Sequence, residues 1–152
     1  MSEKALWTYI NSNIGWAGHF SRVESHATSA GIPDVDYCID RVEGHLELKY
    51  SSGKPYKTRA TQVAWFRNRT RKGGRPYILA QLDLSDVSIF SIYSGIKYES
   101  LHLTTQPEDW LHYAMTIWRD NIDFDELIGV LRHEWLTVQP GQRKIKSNIR
   151  SR

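Results

Sequence analysis

The segments PDVDYCI (residues 33–39) and HLELKY (residues 45–50) carry the pattern that decides the fold. Apolar and polar residues alternate in both segments, which is typical of two β-strands. Residues two apart on a strand point to the same face, so Glu47 and Lys49 should project together. If the two strands pair, Asp34 sits beside Glu47. Two carboxylates and an ammonium group would then converge on one spot.

Such a convergence has a chemical use. Two carboxylates suit Mg²⁺, which keeps several waters and completes its shell with substrate phosphate. The ion polarises a phosphodiester and lowers the pKa of a bound water. Lys49 could orient or deprotonate that water, or offset charge on phosphorus. Taken alone, an aspartate followed after twelve residues by Glu-x-Lys is a loose pattern, and a surface hairpin with ordinary charges is the alternative.

The neighbouring residues make the pattern more specific. Asp34 ends a Gly-x-Pro-Asp turn, residues 20–30 are predicted to form a helix that carries Glu24, and a later predicted helix carries Gln62. With these elements in this order, the chain resembles the PD-(D/E)xK nuclease superfamily over about residues 18–93. More narrowly, it looks like the small stand-alone VRR-NUC nucleases and the phage Holliday-junction-resolvase-like proteins.

The resemblance implies a restriction-endonuclease-like core and a role for each matching residue. Asp34 and Glu47 would be the metal-binding carboxylates, and Lys49 the catalytic lysine. Glu24 would be a helical acid that binds the metal directly or through water. Gln62 would contact the region of the scissile phosphate or steady the site. The implied cofactor is Mg²⁺, with Mn²⁺ as a substitute.

Two other residues of the first strand have simpler readings. Asp36 lies on the same strand face as Asp34 and is either a further ligand or an exposed strand residue. Cys38 is the single cysteine, so an internal disulfide and a multi-cysteine zinc site are excluded. We expect Cys38 to be a small buried apolar residue.

Composition places the chain among ordinary globular proteins. Its 152 residues suit one domain, with 40% hydrophobic and 24% charged residues. No run of 18 apolar residues is present, which predicts no membrane span. The first residues lack the pattern of a signal peptide. We therefore expect a cytoplasmic protein, in the host cytoplasm if a phage encodes it.

Basic residues are concentrated directly after the Glu-x-Lys strand. Residues 51–82 contain no acid, although the whole chain has a net charge of only +3. The basic residues of this block are Lys54, Lys57, Arg59, Arg67, Arg69, Arg71, Lys72 and Arg75. Clustered positive charge beside a candidate metal site indicates a nucleic-acid partner. The resemblance implies that this partner is DNA, branched or duplex. The alternative is a solvated helix face.

The order of predicted elements indicates an α/β layer fold. The expected elements are a helix at 20–30, strands at 34–39 and 45–50, a helix at 58–72, and strands at 76–82 and 87–93. Glu43-Gly44 is the expected hairpin turn. We predict a central mixed β-sheet flanked by helices in residues 1–93, an extension at 94–136, and a flexible basic tail at 137–152.

The extension is predicted to be a helical hairpin. Large apolar residues recur at helical spacing, first around Trp110 and Trp118 and then around Phe124 and Trp135. This pair of helices would pack on the core or form a subunit interface. Cutting two strands of a junction needs two active sites, so a homodimer is expected.

These patterns predict a metal-dependent DNA endonuclease, and the resemblance implies that it is structure-selective in the manner of a Holliday junction resolvase. One alternative is a nucleic-acid-binding or scaffolding module that keeps the nuclease fold. Another is a nickase or exonuclease that works within a replication or packaging complex.

Overall fold

A single mixed sheet organises the protein. The computed structural model describes residues 2–23 and 31–134. Its six strands lie side by side in chain order, and only β3 and β4 pair in parallel. The strands are β1 (His19–Arg22), β2 (Val35–Ile39), β3 (Val42–Ser51), β4 (Tyr77–Asp83), β5 (Ser88–Ser94) and β6 (Thr116–Arg119). The predicted α/β class with a central mixed sheet is confirmed.

Helices cover both faces of the sheet. The α-helices are α1 (Glu3–Ile14), α2 (Ala60–Arg71), α3 (Tyr98–His102) and α4 (Phe124–Leu131), and short 3₁₀ helices span Gly15–Ala17, Gly95–Lys97 and Pro107–Tyr113. Helices α1 and α4 pack in one core with Leu46 and Leu48 of β3. Helices α2 and α3 pack in a second core with Ile78 of β4. None of the helices in residues 2–23 and 31–134 has the length and apolar character needed to cross a membrane.

The alternation predicted for the Glu-x-Lys strand is confirmed. Leu46 and Leu48 enter the core beneath α1, whereas Glu47 and Lys49 point to the face covered by α2. All four side chains are buried because both faces of this strand are covered. The parallel pair β3 and β4 requires a crossover connection, and α2 supplies it. The same helix therefore covers Glu47 and Lys49.

The β2–β3 turn lies three residues earlier in the chain than predicted. Asp40 and Arg41 form it, with positive φ angles of 48° and 71°, which the tight hairpin turns require. Gly44 lies within β3, opposite Tyr37. A Cβ there would fall 2.3 Å from the Tyr37 hydroxyl oxygen, so the glycine makes room for an aromatic ring and does not form the turn.

The helix predicted for residues 20–30 is wrong at its start. Residues 19–22 form β1, which pairs antiparallel with β2. The Phe20 ring lies between Trp7 of α1 and Tyr37 of β2, with ring centroids 6.2 Å from each. Cross-strand packing thus outweighs the local helical pattern. Glu24 and the rest of that predicted helix lie outside the described residues.

The predicted helical hairpin is also wrong. Its first half is the 3₁₀ helix Pro107–Tyr113 followed by the edge strand β6, and only α4 is an α-helix. Trp110 and Trp118 are almost fully buried but lie in different cores, on opposite sides of the sheet. Their spacing of eight residues matches a helix by coincidence. These tryptophans are core residues, so they give no support to the predicted dimer. The tail at 137–152 and Trp135 lie outside the described residues.

Candidate active site

Asp34 and Glu47 lie side by side, as the sequence predicts. Val35 pairs with Leu46 across the β2–β3 hairpin, which brings the preceding Asp34 opposite Glu47. Glu47 Oε1 accepts a hydrogen bond from the Asp34 backbone N–H at 3.1 Å. Asp34 Oδ2 accepts one from the Leu48 backbone N–H at 3.0 Å. Each carboxylate is therefore oriented by the other strand.

The Lys49 ammonium is held by three oxygen acceptors. It lies 3.0 Å from Glu47 Oε2 and donates to Gln62 Oε1 at 3.0 Å. It also donates to the Lys57 backbone carbonyl at 2.5 Å. An ammonium group has three N–H donors, so all of them are engaged. Lys49 is only 4% exposed, and this arrangement fixes both its position and its charge partner.

Gln62 joins this cluster from the first turn of α2. Its Nε2 donates to Glu47 Oε2 at 2.7 Å, and its Oε1 accepts from Lys49. The side chain is 2% exposed. The sequence resemblance implies a role for Gln62 in the site, and in the structure Gln62 lies together with Asp34, Glu47 and Lys49. A buried polar side chain with both amide ends paired gives the site a fixed geometry.

Burial and mutual repulsion make negative charge on this carboxylate pair unfavourable. Burial raises the pKa of Glu47, the nearby Lys49 lowers it and the charge of Asp34 raises it, and the balance of these effects is a pKa of about 7. A buried carboxylate with a raised pKa is typical of functional sites. A bound cation would reverse the balance and favour the ionised form.

The donor set of this site fits a hard divalent cation. Within residues 2–23 and 31–134, no three histidine, cysteine, aspartate or glutamate side chains are close enough to hold an ion by themselves. Mg²⁺ is usually bound through one or two carboxylates, with waters and substrate phosphates completing its shell. Asp34 and Glu47 supply such a pair. The half-buried position of Asp34 leaves that side of the pair open.

Glu3 is an acidic residue near the site that the sequence analysis missed. It lies in the first turn of α1, which Ser2 caps. Burial, followed by the charge of Asp34, raises its pKa, while Lys49, Arg22 and Lys57 oppose that rise. The capping serine predicts where this helix begins. Only the packing of α1 against β3 brings its first turn towards Asp34.

Asp36 is an exposed strand residue, which is the simpler of the two interpretations that the sequence allows. It is exposed, and its Oδ1 lies 3.8 Å from His45 Nε2. In the described structure its side chain makes no hydrogen bond to Asp34, Glu47 or Lys49. It therefore provides a matched control for Asp34, since both are aspartates on the same face of the hairpin.

The eight basic residues do not form one surface. Arg67 pairs with Glu99 at 2.7 Å, and the Arg69 guanidinium lies 4.6 Å from the Trp65 ring centroid. Arg69 and Arg75 line an open groove of about 340 Å³ together with Asp36 and Glu43, so its charge is mixed. The remaining residues are all exposed, with Lys54, Lys57 and Arg59 before or at the start of α2, and Arg71 and Lys72 at its end.

A second groove is lined by two residues that also lie near the site, Glu3 and Lys57. It has a volume of about 490 Å³, and its wall includes Glu3, Lys4, Tyr50, Lys54 and Lys57. Lys57 contributes the backbone carbonyl that accepts from the Lys49 ammonium. Three lysines in one groove make it attractive to a phosphate backbone. We call this the lysine groove.

Comparison with known proteins adds a distant likeness to solved structures. No protein-family model matches the chain, and no curated protein shows significant similarity. One solved structure that resembles it is Hjc, a Holliday junction resolvase from the archaeal hyperthermophile Archaeoglobus fulgidus. The two share 16% identity and a TM-score of 0.46, over 61% of this chain and 77% of that chain. A likeness this weak assigns no role to any residue here.

Proposed function

We propose that the protein is a metal-dependent nuclease that hydrolyses phosphodiester bonds in DNA. The observation that carries the proposal is the cluster of the half-buried Asp34 with the buried Glu47 and Lys49, in which the two carboxylates lie side by side and the ammonium is 3.0 Å from one of them. Buried charges are costly unless they are paired or hold a metal. A cluster of this kind, next to a groove lined by lysines, is suited to a negatively charged substrate.

Each side chain has a distinct task in this proposal. Asp34 and Glu47 would hold Mg²⁺ or Mn²⁺, with Glu3 as an additional acid that interacts electrostatically with Asp34. When bound, the cation supplies Lewis-acid polarisation of the phosphodiester and a water of lowered pKa. Gln62 fixes the positions of the Glu47 and Lys49 side chains relative to each other, because its amide bonds to both of them.

Lys49 offsets negative charge that develops on the phosphate. Its three N–H groups are engaged in the free protein, so contact with substrate requires that one acceptor be exchanged for a phosphate oxygen. The lysine stays in place during this exchange because its other two acceptors hold it. Such preorganisation means that little reorganisation is needed at the moment of reaction.

DNA is proposed to enter along the lysine groove. Lys4, Lys54 and Lys57 are exposed in a groove that reaches Glu3 and the Lys49 acceptor. Because a phosphate backbone is recognised mainly by such charges, binding along this groove would not depend on sequence. Branched DNA is the substrate class that the sequence resemblance implies, and a homodimer would provide two sites for it.

Cleavage assays test the proposal directly. Purified protein with Mg²⁺ or Mn²⁺ should cut at least one of linear duplex, single-stranded, flap and four-way-junction DNA, and a chelator should stop the reaction. Preference for the four-way junction, with paired cuts, would support the resolvase-like form of the proposal. Failure to cut every substrate with either metal would contradict the nuclease assignment.

A non-catalytic DNA-binding module is the second candidate. One observation favours it: Glu47 is 2% exposed and Lys49 has all its donors satisfied within the protein. A cluster sealed in this way could be purely structural. In that case the protein would bind DNA through the lysine groove and would leave it uncut in the same assays.

Divalent cations should stabilise the fold in a pH-dependent way. The folded state holds the Glu47 pKa at about 7, above its usual 4.5, so without metal the unfolding free energy falls as pH rises from 4.5 towards 7. A cation needs the ionised carboxylate, so Mg²⁺ should raise Tm more at about pH 8 than at about pH 6. Thermal denaturation with and without metal measures this. Asp34→Asn should remove the metal effect and Asp36→Asn should keep it; equal effects in both variants would place the ion elsewhere.

The lysine groove should account for much of the affinity for DNA. Changing Lys4, Lys54 and Lys57 to glutamine should weaken binding, and each lost phosphate contact should reduce the slope of log K against log salt by about 0.9. Fluorescence titration at several salt concentrations measures both quantities. Arg67→Gln is the control, since Arg67 is already paired with Glu99. If the control loses as much affinity per charge as the groove lysines, DNA lies on the other side of α2.

A further inference from the structure

Tyr98 is a buried residue that contacts the site from outside the region of the sequence resemblance. It opens α3, after the last strand of the predicted nuclease core, and is 1% exposed. Its hydroxyl donates a short hydrogen bond to Gln62 Oε1. Its ring stacks on Phe66 of α2 with centroids 4.5 Å apart. The Lys49 ammonium lies 6.0 Å from the same ring centroid.

Only one orientation of the Gln62 amide suits the charges of its neighbours, Lys49 and Glu47. With Oε1 towards Lys49 and Nε2 towards Glu47, every contact joins a donor to an acceptor. A reversed amide would set its NH₂ group against the ammonium and its oxygen against the carboxylate. Tyr98 adds a second donor to Oε1, and it does so from a different element of the fold.

The Tyr98 hydroxyl keeps the proton that it donates to Gln62. Burial and the nearby Glu47 charge raise the pKa of Tyr98, so its proton is retained at neutral pH. The stack on Phe66 fixes the ring, which leaves the hydroxyl little freedom to turn away. Gln62 is thereby held at Oε1 by two donors and at Nε2 by one acceptor.

We propose that Tyr98 is a positioning residue: through the Gln62 amide, it holds Glu47 and Lys49 in the geometry needed for cleavage. Tyr98 is separated from Glu47 by one side chain and has no direct part in the reaction. Its effect on the rate rests on the proposed nuclease function, whereas its effect on the Gln62 amide does not. The two claims can therefore be tested separately.

The first test observes the amide without any need for activity. Tyr98→Phe removes one hydroxyl and keeps the ring that stacks on Phe66. NMR should show the Gln62 side-chain NH₂ signals shifted and exchanging faster with water in this variant. Tyr93→Phe is the matched control, because the Tyr93 hydroxyl lies in the same core but bonds to Ser91. Unchanged Gln62 signals in Tyr98→Phe, or equal changes in the control, would overturn the proposal.

The second test measures cleavage in a double-mutant cycle. Tyr98→Phe should lower kcat about 10-fold with little change in KM, since loss of orientation affects the reaction more than binding. In a Gln62→Ala background, the same substitution should change the rate by less than about 2-fold, because the residue it acts through is gone. An equal loss in both backgrounds would overturn the proposal. If the wild-type protein cuts no DNA, the nuclease function fails, and the NMR result alone decides the role of Tyr98.

Discussion

Glu47→Gln and Asp34→Asn are each expected to reduce DNA cleavage by at least about 10²-fold, because each removes one of the two negative charges proposed to hold the metal. The replacements are close in size to the native side chains. The amide oxygen that each substitution introduces can still accept a hydrogen bond from the backbone N–H that orients the native carboxylate. The fold should therefore persist, with a loss of about 1–3 kcal/mol in unfolding free energy for the more buried Glu47.

Single-turnover cleavage, together with thermal denaturation of each variant, measures this prediction. Binding of DNA without metal should stay the same or strengthen, because repulsion between carboxylate and phosphate is reduced. Asp36→Asn, which makes the same chemical change two residues further along the strand, should cleave at the wild-type rate. Wild-type turnover by both site variants, or a loss in Asp36→Asn as large as in Asp34→Asn, would rule out the proposed site.

Lys49→Met should lower the cleavage rate by about 10²-fold or more while leaving metal-induced stabilisation in place. Methionine has a similar length and is apolar, so it removes the ammonium and keeps most of the buried stem. Gln62 Oε1 retains the Tyr98 hydroxyl as a donor, which limits the damage to the network. Glu47 loses its charge partner, and its affinity for a cation should stay the same or rise.

The control for this change is Lys72→Met, an exposed lysine at the end of α2. It removes the same charge from an exposed position outside the cluster, and its rate at saturating DNA should match that of the wild type. An unaltered rate in Lys49→Met at saturating metal would mean that Lys49 is only a structural partner of Glu47. It would also favour the DNA-binding module over the nuclease.

The centre of the site could be predicted from sequence because it depends on local rules. Strand alternation placed Glu47 and Lys49 on one face, and pairing of the two neighbouring strands placed Asp34 opposite Glu47. The separations are small enough for a hairpin to bring these residues together. The turn between the strands was misplaced, because a glycine that accommodates the Tyr37 ring looks the same in sequence as one that forms a turn.

The surrounding elements depend on distant contacts, and here sequence reasoning failed. Residues 19–22 pair with β2 and pack against α1, which no local pattern reveals. The segment around Trp118 is an edge strand because it completes the sheet beside β5. Glu3 and Tyr98 approach the site only through the packing of α1 and α3. No pattern near Glu47 in the sequence indicates either of them.

The crossover made by α2 has a consequence for the order in which the protein folds. The Asp34–Glu47 pair needs only the β2–β3 hairpin, since the two positions are 13 apart in the chain. Lys49 gains its acceptors at Lys57 and Gln62 only when the chain after β3 turns back and α2 docks. Tyr98 lies 36 residues beyond Gln62 in the chain, so its contact closes a further loop. Contacts that close longer loops form more slowly. Local opening of α2 from the sheet would release the lysine and leave the carboxylates paired, so the two halves of the cluster should differ in their protection from hydrogen exchange.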